Sequence, residues 1–293
     1  MCLAIFAVES LPDWPLIIVA NRDEFHERPT ASLDVWSDNT CILAGRDLRA
    51  SGTWLGAHQN GRIALLTNYR EPGNNNPDAP SRGKLVESFI SGSQTAEQFL
   101  DAVNIENQSF NGFNLLLYDG SHAWFMSNRM VNQLNGQLNT LTDNRLNTQH
   151  ALVPPNALIP LKKGIYGLSN ASLNTPWPKV ELTRNHVIQH LEKQQEPSMD
   201  ALFEIFRNQT PASDAELPKT GLPLDRERLL SSPFIIDPLY GTRSTSVILK
   251  HRSGIIRFAE RSFNQEGSQV GQKIWTIDPL SQSIPLSIWL VVC

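Results

Sequence analysis

MCLAIFAV at residues 1–8 and IIVANRDEF at residues 17–25 are two apolar runs joined by ESLPDWP at residues 9–15. The connector holds two prolines and an aspartate, residue types that stop a strand and reverse the chain. Read together, Leu3–Val8 and Leu16–Ala20 predict a β-hairpin. In an antiparallel pair the end of the second strand lies beside the start of the first, which brings Arg22 and Asp23 next to Cys2. If Met1 is removed, Cys2 carries a free α-amine, whose ordinary pKa of about 7.7–8.0 leaves it partly neutral near pH 7. A thiol of pKa about 8.5 beside such a base is an activated nucleophile without a histidine. An arginine there favours the thiolate by its charge, and an aspartate can hold the amine by a charge-assisted hydrogen bond. The polar run Asn21, Arg22, Asp23, Glu24 equally fits a solvated turn, or an ion pair that staples the hairpin.

The same device recurs along the chain. TWLGAHQNGRIALLTNY turns at Asn60-Gly61, GFNLLLYDGSHAWFMSN at Asp119-Gly120 and STSVILKHRSGIIRFAERSF at Ser253-Gly254, all two-residue hairpin signals. Strands such as LLLY and SVIL are apolar throughout, which predicts sheets covered on both faces. Between the hairpins lie helical stretches. SRGKLVESFISG and TAEQFLDAVN each open on a Ser or Thr cap candidate. TPWPKVELTRNHVIQHLEKQ puts Val180, Val187 and Leu191 on one face with Lys and Glu elsewhere. SMDALFEIFRNQ carries Leu202, Ile205 and Phe206 as a stripe. Hairpin runs with separate helix pairs predict α+β layers in a single domain spanning residues 1–293. REPGNNNPDAPSRG is a long Pro/Asn/Gly loop, either a mobile surface loop or a lid beside a site. RNQTPASDAELPKTGLPLDRERLLSSPF is another long loop. The apolar tail SIWLVVC is either a final paired strand or an exposed patch.

Two further strand ends are polar. LLTNYREPG finishes its strand in Thr67, Asn68, Tyr69 and Arg70, and IYGLSNASL places Ser169 and Asn170 after a short strand. Amide donors at such places can stabilise an oxyanion in acyl transfer; either asparagine alone also fits turn chemistry. LYGTRSTSVIL presents Arg243 just before an apolar strand, where an arginine needs a carboxylate partner or a task.

Composition narrows the classes. Twenty-five basic against 29 acidic residues, with no Lys/Arg cluster, gives no nucleic-acid or anionic-membrane footprint. No apolar run reaches about 18 residues, so no membrane-spanning helix is expected, and MCLAIFAVES lacks the basic start of a secretory signal. Three scattered cysteines, Cys2, Cys41 and Cys293, make a poor disulfide framework. They predict free thiols in a reducing, cytoplasmic setting, with Cys41 a small buried apolar residue inside CILAG. His186 and His190 are one turn apart but lack the glutamate of the zincin motif. No metal and no cofactor is called for. GLSNA approaches a nucleophile elbow at Ser169, without its last glycine or a βαβ rhythm around it.

MCLAIFA…NRDEFHERPT, GTWLG, NYREP, SRGKLV, GFNLLL, GLSNA…TPWPKV and YGTRSTSVIL, in that order, resemble the NRDE family, the group named for the transport and Golgi organization 2 protein. The resemblance runs from the first residues to about Ile277. That family in turn resembles the cysteine N-terminal nucleophile hydrolases, among them penicillin V acylase and bile salt hydrolase. The resemblance implies a four-layer α-β-β-α sandwich. It implies Cys2 as nucleophile on a linear amide C–N bond, or a related acyl bond, of a small apolar substrate. Arg22 and Asp23 orient the thiol and the amine, Asn68 and Asn170 serve the amine and the oxyanion, and Arg243 matches a late arginine of the acylase site. Family members are also linked to haem and acyl-coenzyme A lipids. The alternative is therefore a non-catalytic binding or trafficking protein for haem or an acyl-coenzyme A, with His26 as a candidate haem ligand.

Overall fold

The first hairpin is the centre of a sheet. The computed structural model describes residues 2–106, 110–129 and 158–278. Strand β1 (Cys2–Leu11) pairs antiparallel with β2 (Trp14–Phe25), and Cys2 stands opposite Arg22, Ala4 opposite Ala20 and Val8 opposite Leu16. Chain order numbers the strands of a second, seven-stranded sheet next. They are β3 (Thr30–Val35), β4 (Ile42–Asp47), β5 (Leu55–His58), β6 (Ile63–Asn68), β7 (Phe113–Tyr118), β8 (Ala123–Ser127) and β9 (Ile159–Pro160), paired in that order. The first sheet is completed by β10 (Gly164–Leu168) beside β1, and by β11 (Tyr240–Lys250), β12 (Ile256–Phe263) and β13 (Gln269–Ile277) beyond β2. Every pairing is antiparallel. The hairpins at Asn60-Gly61, Asp119-Gly120 and Ser253-Gly254 all form, and each of these glycines takes a positive φ, of 91°, 104° and 103°. Glycine adopts that backbone at no steric cost.

Period-two alternation sorts the side chains into layers. Ala4, Phe6 and Ile18 of the first sheet meet Leu65, Leu116 and Phe125 of the second in the inter-sheet core. The opposite face of the second sheet is covered by α1 (Gly83–Ser91) and α2 (Ala96–Glu106), with Phe89 and Phe99 packed on Leu115 and Leu117. The opposite face of the first is covered by α3 (Pro178–Leu191) and α4 (Met199–Ile205), with Val180, Val187 and Phe203 on Leu3, Ile5 and Val19. The layers are therefore α-β-β-α. Each fully buried Ile, Leu or Phe contributes roughly 1.5–3 kcal/mol, so the two interfaces that enclose β1 and β2 hold them rigidly.

Local details differ from expectation in three places, and one cap forms as expected. Ser81 does not cap α1: Arg82 occupies the cap position with no side-chain cap bond. Thr95 does cap α2, through a reciprocal pair in which Gln98 N donates to Thr95 Oγ1 and Thr95 N to Gln98 Oε1, each at 3.1 Å. The loop after α4 is not structureless, since it contains the short helix α5 (Leu224–Leu229). Cys41 precedes β4 in a turn and is half-buried rather than buried. The SIWLVVC tail and Cys293 lie outside the described residues, as does Met1. Among the described residues no helix is long and apolar enough to cross a membrane.

Candidate active site

The register decides what surrounds Cys2. Cys2 falls on the same side of β1 as Ala4 and Phe6, at the open end of the inter-sheet core. Arg22, its partner across the hairpin, is only 5% exposed and lies over Trp54, with the guanidinium carbon 4.3 Å from the ring centroid. Its Nη2 stands 3.9 Å from both Glu24 Oε2 and Asp47 Oδ2. Asp23 N–H donates to the Cys2 sulfur. The Asp23 carboxylate, 1% exposed, accepts from Thr242 Oγ1 at 2.7 Å, and its carbonyl accepts from Tyr240 Oη at 2.9 Å. Ser169 Oγ donates to the Cys2 carbonyl at 2.9 Å, so the serine of GLSNA bolts the strand down.

Charge and burial compete here. Burial pushes the Cys2 thiol up, and the Asp23 carboxylate adds to this; the Asp23 N–H bond and Arg22 oppose it. Burial likewise raises Asp23, against Lys179 and the Thr242 bond. Lys179 is brought down to about 8 by burial, with Asp23 pulling the other way.

Cys2, Arg22 and Asp23 line a cavity of about 380 Å³ at the sheet ends, closed on the far side by Trp54, Asn68 and the first residues of α1. Residues 75–77 and 79–82 of the Pro/Asn/Gly loop form one wall. That loop is anchored: Asn76 N donates to Asn111 Oδ1 and Asn111 Nδ2 to the Asn76 carbonyl, each at 2.8 Å, while Arg82 Nη1 donates to the Gly112 carbonyl at 2.9 Å. The cavity also carries Arg28, Arg49 and Arg82. With Arg22 these four arginines face three carboxylates, Asp23, Glu24 and Asp47, and Asp47 is spent on Arg28 at 2.6 Å. The lining is mixed: arginines and asparagines stand around the thiol, and Trp54 and Leu66 supply an apolar part.

Three anticipated residues stand elsewhere. Asn170, 1% exposed, sits behind the wall, where its Nδ2 donates to the Asn68 carbonyl at 2.8 Å and its own carbonyl accepts from Arg70 N at 2.7 Å. Of these two, Asn68 lines the cavity and Asn170 does not. Arg243 is not brought to it either. A bulge between Thr242 and Ser244 takes it out of the strand's alternation, and its Nη1 donates to the carbonyls of Phe25, His26 and Arg28. His26 ring Nε2 is engaged with the Asp237 carbonyl at 3.0 Å, away from the cavity lining. Conversely, Lys179, expected off the apolar face of its helix, is 2% exposed. The partners of Asp23, Thr242 and Tyr240, and the Arg70–Glu227 pair at 2.8 Å, also went unread. The proline before Lys179 sets the helix start, and that is the signal that the lysine sits in a fixed first turn.

Comparison with known proteins agrees with the sequence pattern. The family model for transport and Golgi organisation 2 matches residues 1–265. The transport and Golgi organization protein 2 homolog of Bos taurus is 33% identical over 276 residues, covering 89% of this chain and 93% of that protein. The Homo sapiens homolog is 31% identical over 277 residues with the same coverage, and the Drosophila melanogaster protein is 27% identical over 280 residues, covering 89% and 92%. Among solved structures, a variant of the conjugated bile acid hydrolase of Clostridium perfringens aligns with a TM-score of 0.46 at 7% identity, covering 98% of this chain and 97% of that one.

Proposed function

We propose that this chain, which belongs to the transport and Golgi organisation 2 family, is a cysteine hydrolase of N-terminal nucleophile type. Its substrate is a small molecule with a linear amide or related acyl bond, polar or anionic at one end and apolar beside Trp54. The observation that carries the reading is the β1–β2 register, which seats the Cys2 sulfur on the Asp23 N–H, opposite Arg22, at the wall of a cavity. With Met1 removed, the Cys2 amine takes the thiol proton as sulfur attacks the carbonyl carbon. The amine then passes that proton to the leaving nitrogen, which departs, and a thioester remains on Cys2. Water adds to the thioester, releasing the acid and restoring the thiol. Arg22 favours the thiolate, Asp23 orients the amine, and Asn68 donates to the oxyanion from a backbone held by Asn170. Arg243 holds the loop after β2. The free thiols of Cys2 and Cys41 support placement in a reducing, cytoplasmic setting.

A second reading, non-catalytic binding or trafficking of haem or an acyl-coenzyme A, has one observation in its favour. The raised Cys2 thiol is a weak nucleophile, while the four arginines match carboxylate and phosphate groups. One experiment separates the two. Intact mass reports whether Met1 is gone, and labelling with an amide-mimicking electrophile reports the reactive residue. Hydrolysis predicts an adduct on Cys2 that Cys2→Ala lacks; labelling confined to Cys41 or Cys293 refutes it. Saturable haem or acyl-coenzyme A binding that is unchanged in Cys2→Ala, with no such adduct, selects the second reading.

A further inference from the structure

Lys179 breaks three rules at once. It is 2% exposed, and its Nζ has no hydrogen-bond partner among the described residues. It also lies in the first turn of α3, directly after Pro178, where the helix dipole disfavours a cation. A buried ammonium in such a place costs several kcal/mol unless an anion faces it.

The register supplies that anion. Ile17 and Val19 belong to the cluster that packs on Val180 and Val187. Asn21, two residues on, reaches the same layer, since its Nδ2 donates to the carbonyls of Phe206 and Pro233 at 3.0 and 2.8 Å. Asp23 is next in this alternation. Its carboxylate is held by Thr242 Oγ1, which itself accepts from Ile235 N at 2.9 Å. Asp23 thus faces the helical layer at the end of the sheet where Cys2 begins, and α3 lies over β1 and β10 there. Cys2 and Arg22 face the cavity, whose lining Asp23 also joins at its edge. Asp23 is the strongest charge attraction on Lys179, and Lys179 the strongest on Asp23.

We propose that Lys179 is a positioning residue, the buried counter-ion of Asp23, and that the charge of this pair sets the readiness of Cys2 to form a thiolate. The inference deepens the reading of Cys2 as the reactive group. Its readout is the thiol alone, so it stands or falls separately from hydrolysis. The ionisable groups around the pair are the chain's α-amine and the Cys2 thiol at the start of β1, Arg70 beyond β6, Glu227 on α5 and Tyr240 on β11; Arg22 and Arg82 act on Cys2 from the cavity side. With both members charged the pair is neutral. Removing the lysine charge leaves a carboxylate beneath the sulfur and disfavours the thiolate. Removing the carboxylate charge leaves an ammonium and favours it. Removing both restores balance.

The experiment is the pH profile of iodoacetamide alkylation at Cys2, followed by mass spectrometry on the full chain. Wild type, Lys179→Met, Asp23→Asn and the double variant are compared, each with its N-terminal state fixed by intact mass. The expected result is that below about pH 8, where Lys179 keeps its proton, alkylation is about tenfold slower in Lys179→Met, about tenfold faster in Asp23→Asn, and close to wild type in the double variant. If Lys179→Met does not fold, the expected result is that the double variant does, because no lone buried charge remains. A Lys179→Met profile that overlays wild type overturns the proposal. So do two single variants that shift in the same direction, or a double variant that fails to fold where Lys179→Met fails.

Discussion

Replacing Arg70 by methionine tests whether a buried ion pair holds the cavity wall. Arg70 Nη1 donates to Glu227 Oε2 at 2.8 Å, and both side chains are 5% exposed. The guanidinium also lies over Trp177, 4.6 Å from the ring centroid. Methionine keeps the apolar contact with Trp177 and removes the charge. The Glu227 carboxylate is then left with the two Thr220 donors, Oγ1 at 2.5 Å and N at 3.0 Å. Breaking a buried pair on one side costs about 3–5 kcal/mol. Because the Thr220 donors survive, the low end applies, about 3 kcal/mol. A chain of 293 residues unfolds with an entropy of about 0.6 kcal/mol/K, so the melting temperature falls by about 5 °C. Urea unfolding gives the free energy and calorimetry the temperature. The double variant Arg70→Met/Glu227→Leu removes both charges and recovers most of the loss. A single variant within about 0.5 kcal/mol of wild type refutes the reasoning, as does a double variant no better than the single.

Two further perturbations act on the wall and on the inter-sheet core. At Gly52 an added Cβ falls 2.5 Å from Gly83 C and 2.9 Å from its Cα and O, backbone atoms that cannot swing aside. Gly52→Ala therefore displaces the start of α1 at a cost of about 1–3 kcal/mol, a fall of about 2–5 °C in melting temperature, and an unchanged melt contradicts the close approach. Glu260 is 3% exposed and raised by burial, against bonds from Leu33 N and Ser246. A raised folded value means the native state binds the extra proton. Its stabilising share is whole below the ordinary value of 4.5 and is lost as pH rises through the raised value. Glu260→Gln should thus gain on wild type as pH rises above the ordinary value of 4.5 in urea titrations; a difference independent of pH rules this out.

What could be read from the chain follows from local physics. Alternating and continuous apolar runs, with Asn60-Gly61, Asp119-Gly120 and Ser253-Gly254 between them, are local patterns, and the hairpins they announce form. The meeting of Cys2 with Arg22 was legible for the same reason: one short turn separates their strands, so pairing geometry alone aligns them. Glu227 was hidden because a six-residue helix leaves too short a trace of periodicity. Arg243 was misplaced because a bulge is an extra residue in one strand, visible only against its partner. Lys179 was misread because helical spacing tells which residues share a face. It does not tell how far across the first turn the neighbouring sheet extends. Sequence by itself determined the strands, their hairpin registers and the approach of one thiol to one arginine, all contacts between residues close in the chain. Tertiary structure alone decided the cavity's polarity, the place of Asn68 in front of Asn170, and the burial of a lysine near an aspartate 156 positions away. Those depend on which distant surfaces exclude water together, and no short stretch of chain carries that information.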